Sequence, residues 1–236
     1  MANYNTMLAG LRDLVDNPTP RVPVGLCLDI SGSMWGSPIK ELNAGVQQYF
    51  NEIRSDDLTC YSAETAVVTF SDTAERVADF DTADHQQVSD FRAHGCTCMG
   101  EGLKMTLDLL DNRKKQYKAT GVDYYQPILV VMSDGSPNGD PAVLSEAAAR
   151  IRELVKQRRL TVIAVGIGSD ADMDMLTRLS PKHRPFRLHG LQFREFFAWL
   201  SQSVASVSAS MPGDETELDM EALKALEAEP WPDELK

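Results

Sequence analysis

Apolar runs alternate with amphipathic segments along most of this chain. Residues 21–29 (RVPVGLCLD), 64–70 (ETAVVTF), 127–132 (PILVVM) and 160–167 (LTVIAVGI) are short, apolar and largely β-branched. Such runs suit strands buried on both faces of a parallel sheet. Residues 76–80 and 184–188 read as weaker strands. Between them, residues 38–54 place Ile39, Leu42, Val46, Tyr49, Phe50 and Ile53 at helical spacing. Residues 99–116 carry Leu103, Leu107 and Leu110 on one stripe. Residues 141–159 are Ala-rich and open with Pro141, where a missing N–H is harmless. Residues 173–179 and 193–208 read as further helices. Strand and helix alternate from residue 21 to 208, which predicts an α/β fold with a mostly parallel central sheet covered on both faces. Residues 114–126 read as the longest polar connection, a mobile loop.

The predicted organisation is an N-terminal helical extension (1–19), a body (20–210) and an acidic tail (211–236). The chain has 236 residues and a formal net charge of −12. Nine acids and two lysines in residues 211–236 give that tail −7. So acidic a segment is expected to stay out of the core. Leu218, Met220, Leu223, Leu226 and Trp231 nonetheless share helical spacing, so the tail reads either as solvated or as a docking segment. The overall acidity argues against nucleic acid and against anionic membranes as partners. No apolar run approaches the ~20 residues of a membrane helix, and residues 1–20 show no signal-peptide pattern. Cys27, Cys60, Cys96 and Cys98 are too few for a disulfide framework. Reduced thiols and a cytoplasmic location are the expectation.

The chemistry concentrates where the first strand ends. Asp29-Ile30-Ser31-Gly32-Ser33 alternates three short oxygen-bearing side chains along a turn. In open α/β sheets, ligands bind at the carboxyl ends of strands, near the switch in strand order. A hard cation such as Mg²⁺ takes about six oxygens, so this set is incomplete and other loops must contribute. Asp134 follows the strand at 127–132, and Thr97 lies in the loop Gly95-Cys96-Thr97-Cys98-Met99-Gly100 before a helix.

Asp-x-Ser-x-Ser, then Thr, then Asp, each beside a predicted strand or helix end, resembles the metal-ion-dependent adhesion site (MIDAS) of the von Willebrand factor A (VWA) family over roughly residues 20–210. The stretches DISGSM, GCTCMGEGL, PILVVMSDGSPNGD and TVIAVGIG are similar to TerY-like bacterial VWA proteins, which are tied to tellurite resistance, stress and phage-defence islands. The resemblance implies a Rossmann-like, doubly wound sheet with the site at its strand C-terminal ends. It implies that Ser31, Ser33 and Thr97 ligate Mg²⁺ or Mn²⁺, with Asp29 and Asp134 acting mostly through water or through the serines. It further implies a protein partner whose Asp or Glu completes the ion's shell, and an associated kinase or PP2C-type phosphatase as companion.

Several residues stay open at this point. Cys96 and Cys98 flank Thr97, where many members of the family it resembles carry Gly-Gly-Thr-Asn-like or Gly-Pro-Thr-His-like loops. They read as small side chains turned away from the ion, or as a soft-metal or redox site. Trp35 reads as the rim of a partner surface or as a lid over the helix start. Asp72 reads as a turn residue or as a group supporting the metal ligands, Asn138 and Asp140 as turn and capping residues or as ligand contacts, and His94 as a surface histidine or a ligand. No histidine converges on the motif and no G-x-S-x-G elbow is present, so an adaptor is favoured over a metal-assisted hydrolase. A metal-independent scaffold is the other alternative.

Overall fold

The computed structural model describes Leu14 and residues 16–188, 192–211 and 218–228. Strands β1 (Val22–Asp29), β2 (Ala63–Phe70), β3 (Ala74–Ala78), β4 (Ile128–Ser133), β5 (Thr161–Ile167) and β6 (Phe186–Leu188) form one sheet in the order β3-β2-β1-β4-β5-β6. Each neighbouring pair is parallel except β2–β3. The α-helices are α1 (Ser37–Ser55), α2 (Asp57–Ser62), α3 (Met99–Thr120), α4 (Pro141–Lys156), α5 (Met173–Leu179), α6 (Phe193–Ser208) and α7 (Met220–Ala228). The predicted α/β architecture is therefore present. The chain leaves β1 for β2 on one side and returns to β4 on the other, so the order reverses at β1.

The alternation along β1 explains the two cores. Val22, Val24, Leu26 and Leu28 face one side, with Ile39, Leu42, Val46 and Phe50 of α1 and Phe193, Phe197 and Val204 of α6. Cys27 faces the other, with Leu103, Leu107 and Leu110 of α3 and Ile151 of α4. With both faces covered, all eight residues of β1 are buried. Gly45 lets α1 and α6 approach closely: a Cβ there would lie 2.5 Å from Phe197 Cδ2 and 3.2 Å from the Phe193 carbonyl oxygen.

Two expectations need correction. Residues 114–126 do not form a long mobile loop, because α3 continues to Thr120 and ends at Gly121 in the left-handed region (φ 73°). Tyr117 is fully buried there, against Leu14 and Val122. Nor does the acidic tail stay wholly outside the core. Leu223 of α7 is buried beside α6 and β6, with Leu218 and Met220 packed against the same core. Trp199 Nε1 donates to the Asp219 carbonyl at 2.7 Å. Burying one leucine contributes on the order of 2 kcal/mol, while Asp219 and Glu221 nearby stay exposed and keep their hydration. Trp231 and most of residues 1–19 lie outside the described residues, as does the side chain of Leu226. The edge strand begins at Ala74, two residues earlier than predicted. The sequence reading missed α2, whose start is marked by Asp56 accepting from the Thr59 N–H.

A polar cluster occupies the end of the β1–β2 pair remote from Asp29. Glu64 is fully buried and accepts from Arg21 Nε (2.9 Å), Arg113 Nε (2.6 Å), Arg113 Nη2 (2.8 Å) and the Tyr117 hydroxyl (2.5 Å). Arg21 also donates to the Thr19 and Asn17 carbonyls. A buried carboxylate held this way has its charge and lone pairs matched within the chain.

Candidate metal centre

Asp29 is the last residue of β1 and is fully buried. Its Oδ1 accepts from the Ser31 N–H at 2.8 Å, and its Oδ2 accepts from the Ser133 hydroxyl at 2.6 Å. The first bond closes the turn that carries Ser31 and Ser33. The second pins that turn to the end of β4. The Ser31 and Ser33 hydroxyls lie 3.0 Å apart, and Ser33 Oγ donates to Asp134 Oδ1 at 2.8 Å. Asp29, Ser31, Ser33 and Asp134 thus belong to one hydrogen-bonded chain at the carboxyl ends of β1 and β4, at the reversal in strand order.

Thr97 joins this group through backbone contacts rather than through a hydroxyl bond to the serines. The His94 N–H donates to the Ile30 carbonyl (2.8 Å), and the Gly32 N–H donates to the Gly95 carbonyl (2.9 Å), so the two loops run edge to edge. On its other side, the Thr97 N–H donates to Asn138 Oδ1 at 2.8 Å, and its carbonyl accepts from the Asn138 N–H at 3.1 Å. Thr97 is buried between the first turn and the loop after β4. Gly95 is required on two counts. Its φ is 69°, and a Cβ would meet the Asp72 carboxylate at 2.3 Å. That carboxylate accepts from the Cys96 N–H at 2.8 Å, and the Ser71 carbonyl accepts from the Cys98 N–H at 2.8 Å.

Three positioning residues escaped the sequence reading. Ser133 ends a buried strand and was visible only as part of a Ser-Asp-Gly run. Asn138 was read as a turn or cap residue and instead clamps Thr97. Asp72 was read as a turn residue and instead anchors the Cys96 backbone. Asp140 does cap α4, accepting from the Ala142 N–H at 2.8 Å. His94 is paired with Ser71, Oγ to Nε2 at 3.0 Å.

Burial pushes the Asp29 carboxyl up to about 6, against the hydrogen bonds from Ser133 and Ser31, and the Asp134 charge adds to the rise. Burial also raises Asp134, opposed by the Ser33 hydroxyl and reinforced by Asp170. The charges acting on each acid are thus other carboxylates, not cations. The side-chain donors are all oxygen, and among the described residues neither acid bonds a basic side chain, which fits a hard divalent cation. Cys96 is exposed with its side chain bonded to Asp72, and Cys98 is half-buried. Among the described residues no three of His, Cys, Asp and Glu gather as a metal cluster. Trp35 is 79% exposed, which fits the rim reading and not the lid.

A model of the von Willebrand factor type A domain matches residues 24–197. Inter-alpha-trypsin inhibitor heavy chain H2 of Mus musculus is 26% identical over 179 residues, 70% of this chain and 18% of that protein. The chain therefore spans less than a fifth of the curated relatives' length. Among solved structures, a von Willebrand factor type A protein from Catenulispora acidiphila superposes with a TM-score of 0.59 at 19% identity, over 79% of this chain and 43% of that one. The vWF domain of the type V pili tip protein Mfa5 from Porphyromonas gingivalis gives 0.60 at 14% identity, over 84% of this chain and 99% of that one. At such identities the likeness is one of fold. The family match runs from β1 into α6 and takes in every residue of the site described above, and this chain belongs to the von Willebrand factor type A domain family.

Proposed function

We propose that this chain is a metal-dependent protein-interaction module. VWA domains are a general protein-interaction module, and the finer reading rests on the donor set. Ser31, Ser33 and Thr97 would hold Mg²⁺ or Mn²⁺, with Asp29 and Asp134 orienting the serines and balancing charge. The bound ion would supply an electrophilic centre for a carboxylate from a partner protein. The observation that carries this reading is the hydrogen-bonded chain Ser133–Asp29–Ser31–Ser33–Asp134, whose side chains offer only oxygen and whose acids bond no basic side chain among the described residues. Its members' roles are to bind, to orient and to leave partner access beside Ser33, which is exposed.

An adaptor role without catalysis is part of the same proposal. His94, which lies nearest the Thr97 loop in sequence, is bonded to Ser71 and the Arg92 carbonyl rather than to Ser31 or Ser33. The finer placement in a TerY-like stress or phage-defence system, with a kinase or PP2C-type phosphatase as companion and a cytoplasmic location, rests on the extended motifs around Ser31, Thr97 and Asp134. Among the described residues no helix is long and apolar enough to cross a membrane.

The test is a Mn²⁺ titration followed by the free-ion EPR signal. The wild-type chain is expected to take up one Mn²⁺, displaceable by Mg²⁺. Asp29→Ala and Ser33→Ala should both abolish uptake. Unchanged uptake in both variants, or none in the wild type at millimolar Mn²⁺, overturns the reading.

A further inference from the structure

Asn138 and Gly139, in the loop between β4 and α4, form a pair whose chemistry the proposed binding role does not use. Of the chain's asparagines, only Asn138 precedes a glycine. Each of the two is held in place by a separate demand. Asn138 Oδ1 accepts from the Thr97 N–H at 2.8 Å, and the Asn138 N–H donates to the Thr97 carbonyl at 3.1 Å. At Gly139, a Cβ would stand 2.9 Å from Glu101 Oε2 and 3.1 Å from Cys98 Cα. The clamp needs the asparagine and the packing needs the glycine. Together they leave the side-chain amide of Asn138 unshielded from the main-chain nitrogen that follows it.

That nitrogen can displace the amide. The Gly139 nitrogen gives its proton to a hydroxide ion of the solvent and bonds to Asn138 Cγ. The Cγ–Nδ2 bond breaks, Nδ2 takes a proton from water and leaves as ammonia, and a succinimide ring remains. Water then opens the ring. Attack at Cγ gives aspartate, and attack at the main-chain carbonyl carbon gives isoaspartate. Asn138 is exposed, so water and hydroxide reach it. The negative charge of the addition step gathers on Oδ1, at which the Thr97 N–H already points, as a donor in an oxyanion hole does. Among the described residues neither the Gly139 N–H nor Asn138 Nδ2 makes a hydrogen bond, so the attacking and the departing nitrogen are both unheld.

We propose that Asn138–Gly139 is a self-modification site that loses ammonia through a succinimide, and that the isoaspartyl product releases Thr97 from its clamp. Both products add one negative charge to the loop. In aspartate the accepting oxygen stays on Cγ, so the bond from the Thr97 N–H persists and gains charge assistance. In isoaspartate the free carboxylate sits directly on Cα, one carbon short of that place, and the main chain is longer by one methylene. The chemistry needs only water, so it stands apart from the binding role proposed above.

The test ages the whole chain, free of added metal, for days in mildly alkaline buffer at body temperature, beside a synthetic peptide of residues 136–142. Peptide mapping by mass spectrometry reads the exchange of NH₂ for OH, and enzymatic methyl transfer reads isoaspartate. The expected result is conversion at Asn138 that quickens with alkalinity and is no slower in the chain than in the peptide. Amide exchange followed by NMR should show Thr97 as well protected in Asn138→Asp as in the fresh chain. In the isoaspartyl chain it should exchange about tenfold faster, as for the loss of one hydrogen bond, while the amides of β4 keep their protection. Conversion slower than in the peptide, indifferent to pH or confined to other asparagines overturns the inference. So does unchanged Thr97 exchange in the isoaspartyl chain, or loss of β4 protection along with it.

Discussion

The Ser33 hydroxyl donates to Asp134 Oδ1 at 2.8 Å, joining loops 101 residues apart in sequence. This bond spans the gap between β1 and β4 at solvent level, above the buried bond from Ser133 to Asp29. The buried bond sets the framework, and the exposed one sits where a ligand would replace it.

Ser33→Ala should therefore separate binding from folding. An exposed hydrogen bond contributes about 0.5–1.5 kcal/mol or less, so urea unfolding of the metal-free variant should show only a small loss. Mn²⁺ uptake should disappear. At a ligand concentration 100 times the dissociation constant, binding stabilises a fold by about 2.7 kcal/mol. The upward shift of the melting midpoint with Mg²⁺ that is expected of wild type should accordingly be absent in Ser33→Ala.

Glu64→Gln tests the cluster at the other end. It removes the negative charge facing Arg21 and Arg113 while both guanidinium groups stay buried. Breaking one partner of a buried ion pair costs about 3–5 kcal/mol. Urea unfolding should show a loss of that order. Wild-type stability would contradict the reading of this cluster.

Gly45→Ala should destabilise even though alanine is the better helix former. The propensity gain is about 1 kcal/mol, whereas the new Cβ would press on the buried Phe197 ring and the Phe193 carbonyl. Overpacking of this kind costs about 1–3 kcal/mol. A net loss in thermal midpoint is expected, with Mn²⁺ uptake preserved.

Asp111 gives a pH signature away from the site. Burial raises its carboxyl, but hydrogen bonds and charge from Lys114 and Arg150 outweigh that and hold it below the ordinary range. A carboxylate depressed in the fold stabilises above its unfolded value, near 3.9, and loses that contribution as pH falls through the folded value. Asp111 is partly exposed, so the effect is about 1 kcal/mol or less. The stability gap between wild type and Asp111→Asn should be full at pH 7 and close below about pH 4, as read by urea titrations across that range.

The strong strands and the long helices were legible because burial on both faces writes an uninterrupted apolar run, and burial on one face writes a helical stripe. Met173–Leu179 and Phe193–Ser208 begin and end where the sequence placed them. The end of α3 was obscured because Arg113, Lys114 and Tyr117 read as solvent-facing but are buried in polar contacts with Glu64 and Asp111. In α7, one buried leucine decides the packing of a segment whose composition is acidic. At the site, the residues bearing ligand-type oxygens stood out as a motif. Asn138 and Ser133 did not, because their contribution is a contact to a distant backbone or side chain that no local spacing records.

The β1–β2 pair carries a buried acid at each extremity. Glu64 has its counterions built covalently into the chain, in Arg21 and Arg113. Asp29 has no cation beside it among the described residues, and on the reading proposed above its compensation would be borrowed from the surrounding solution. One end of the same ladder would then be indifferent to what is dissolved around the protein, while the other end would register it.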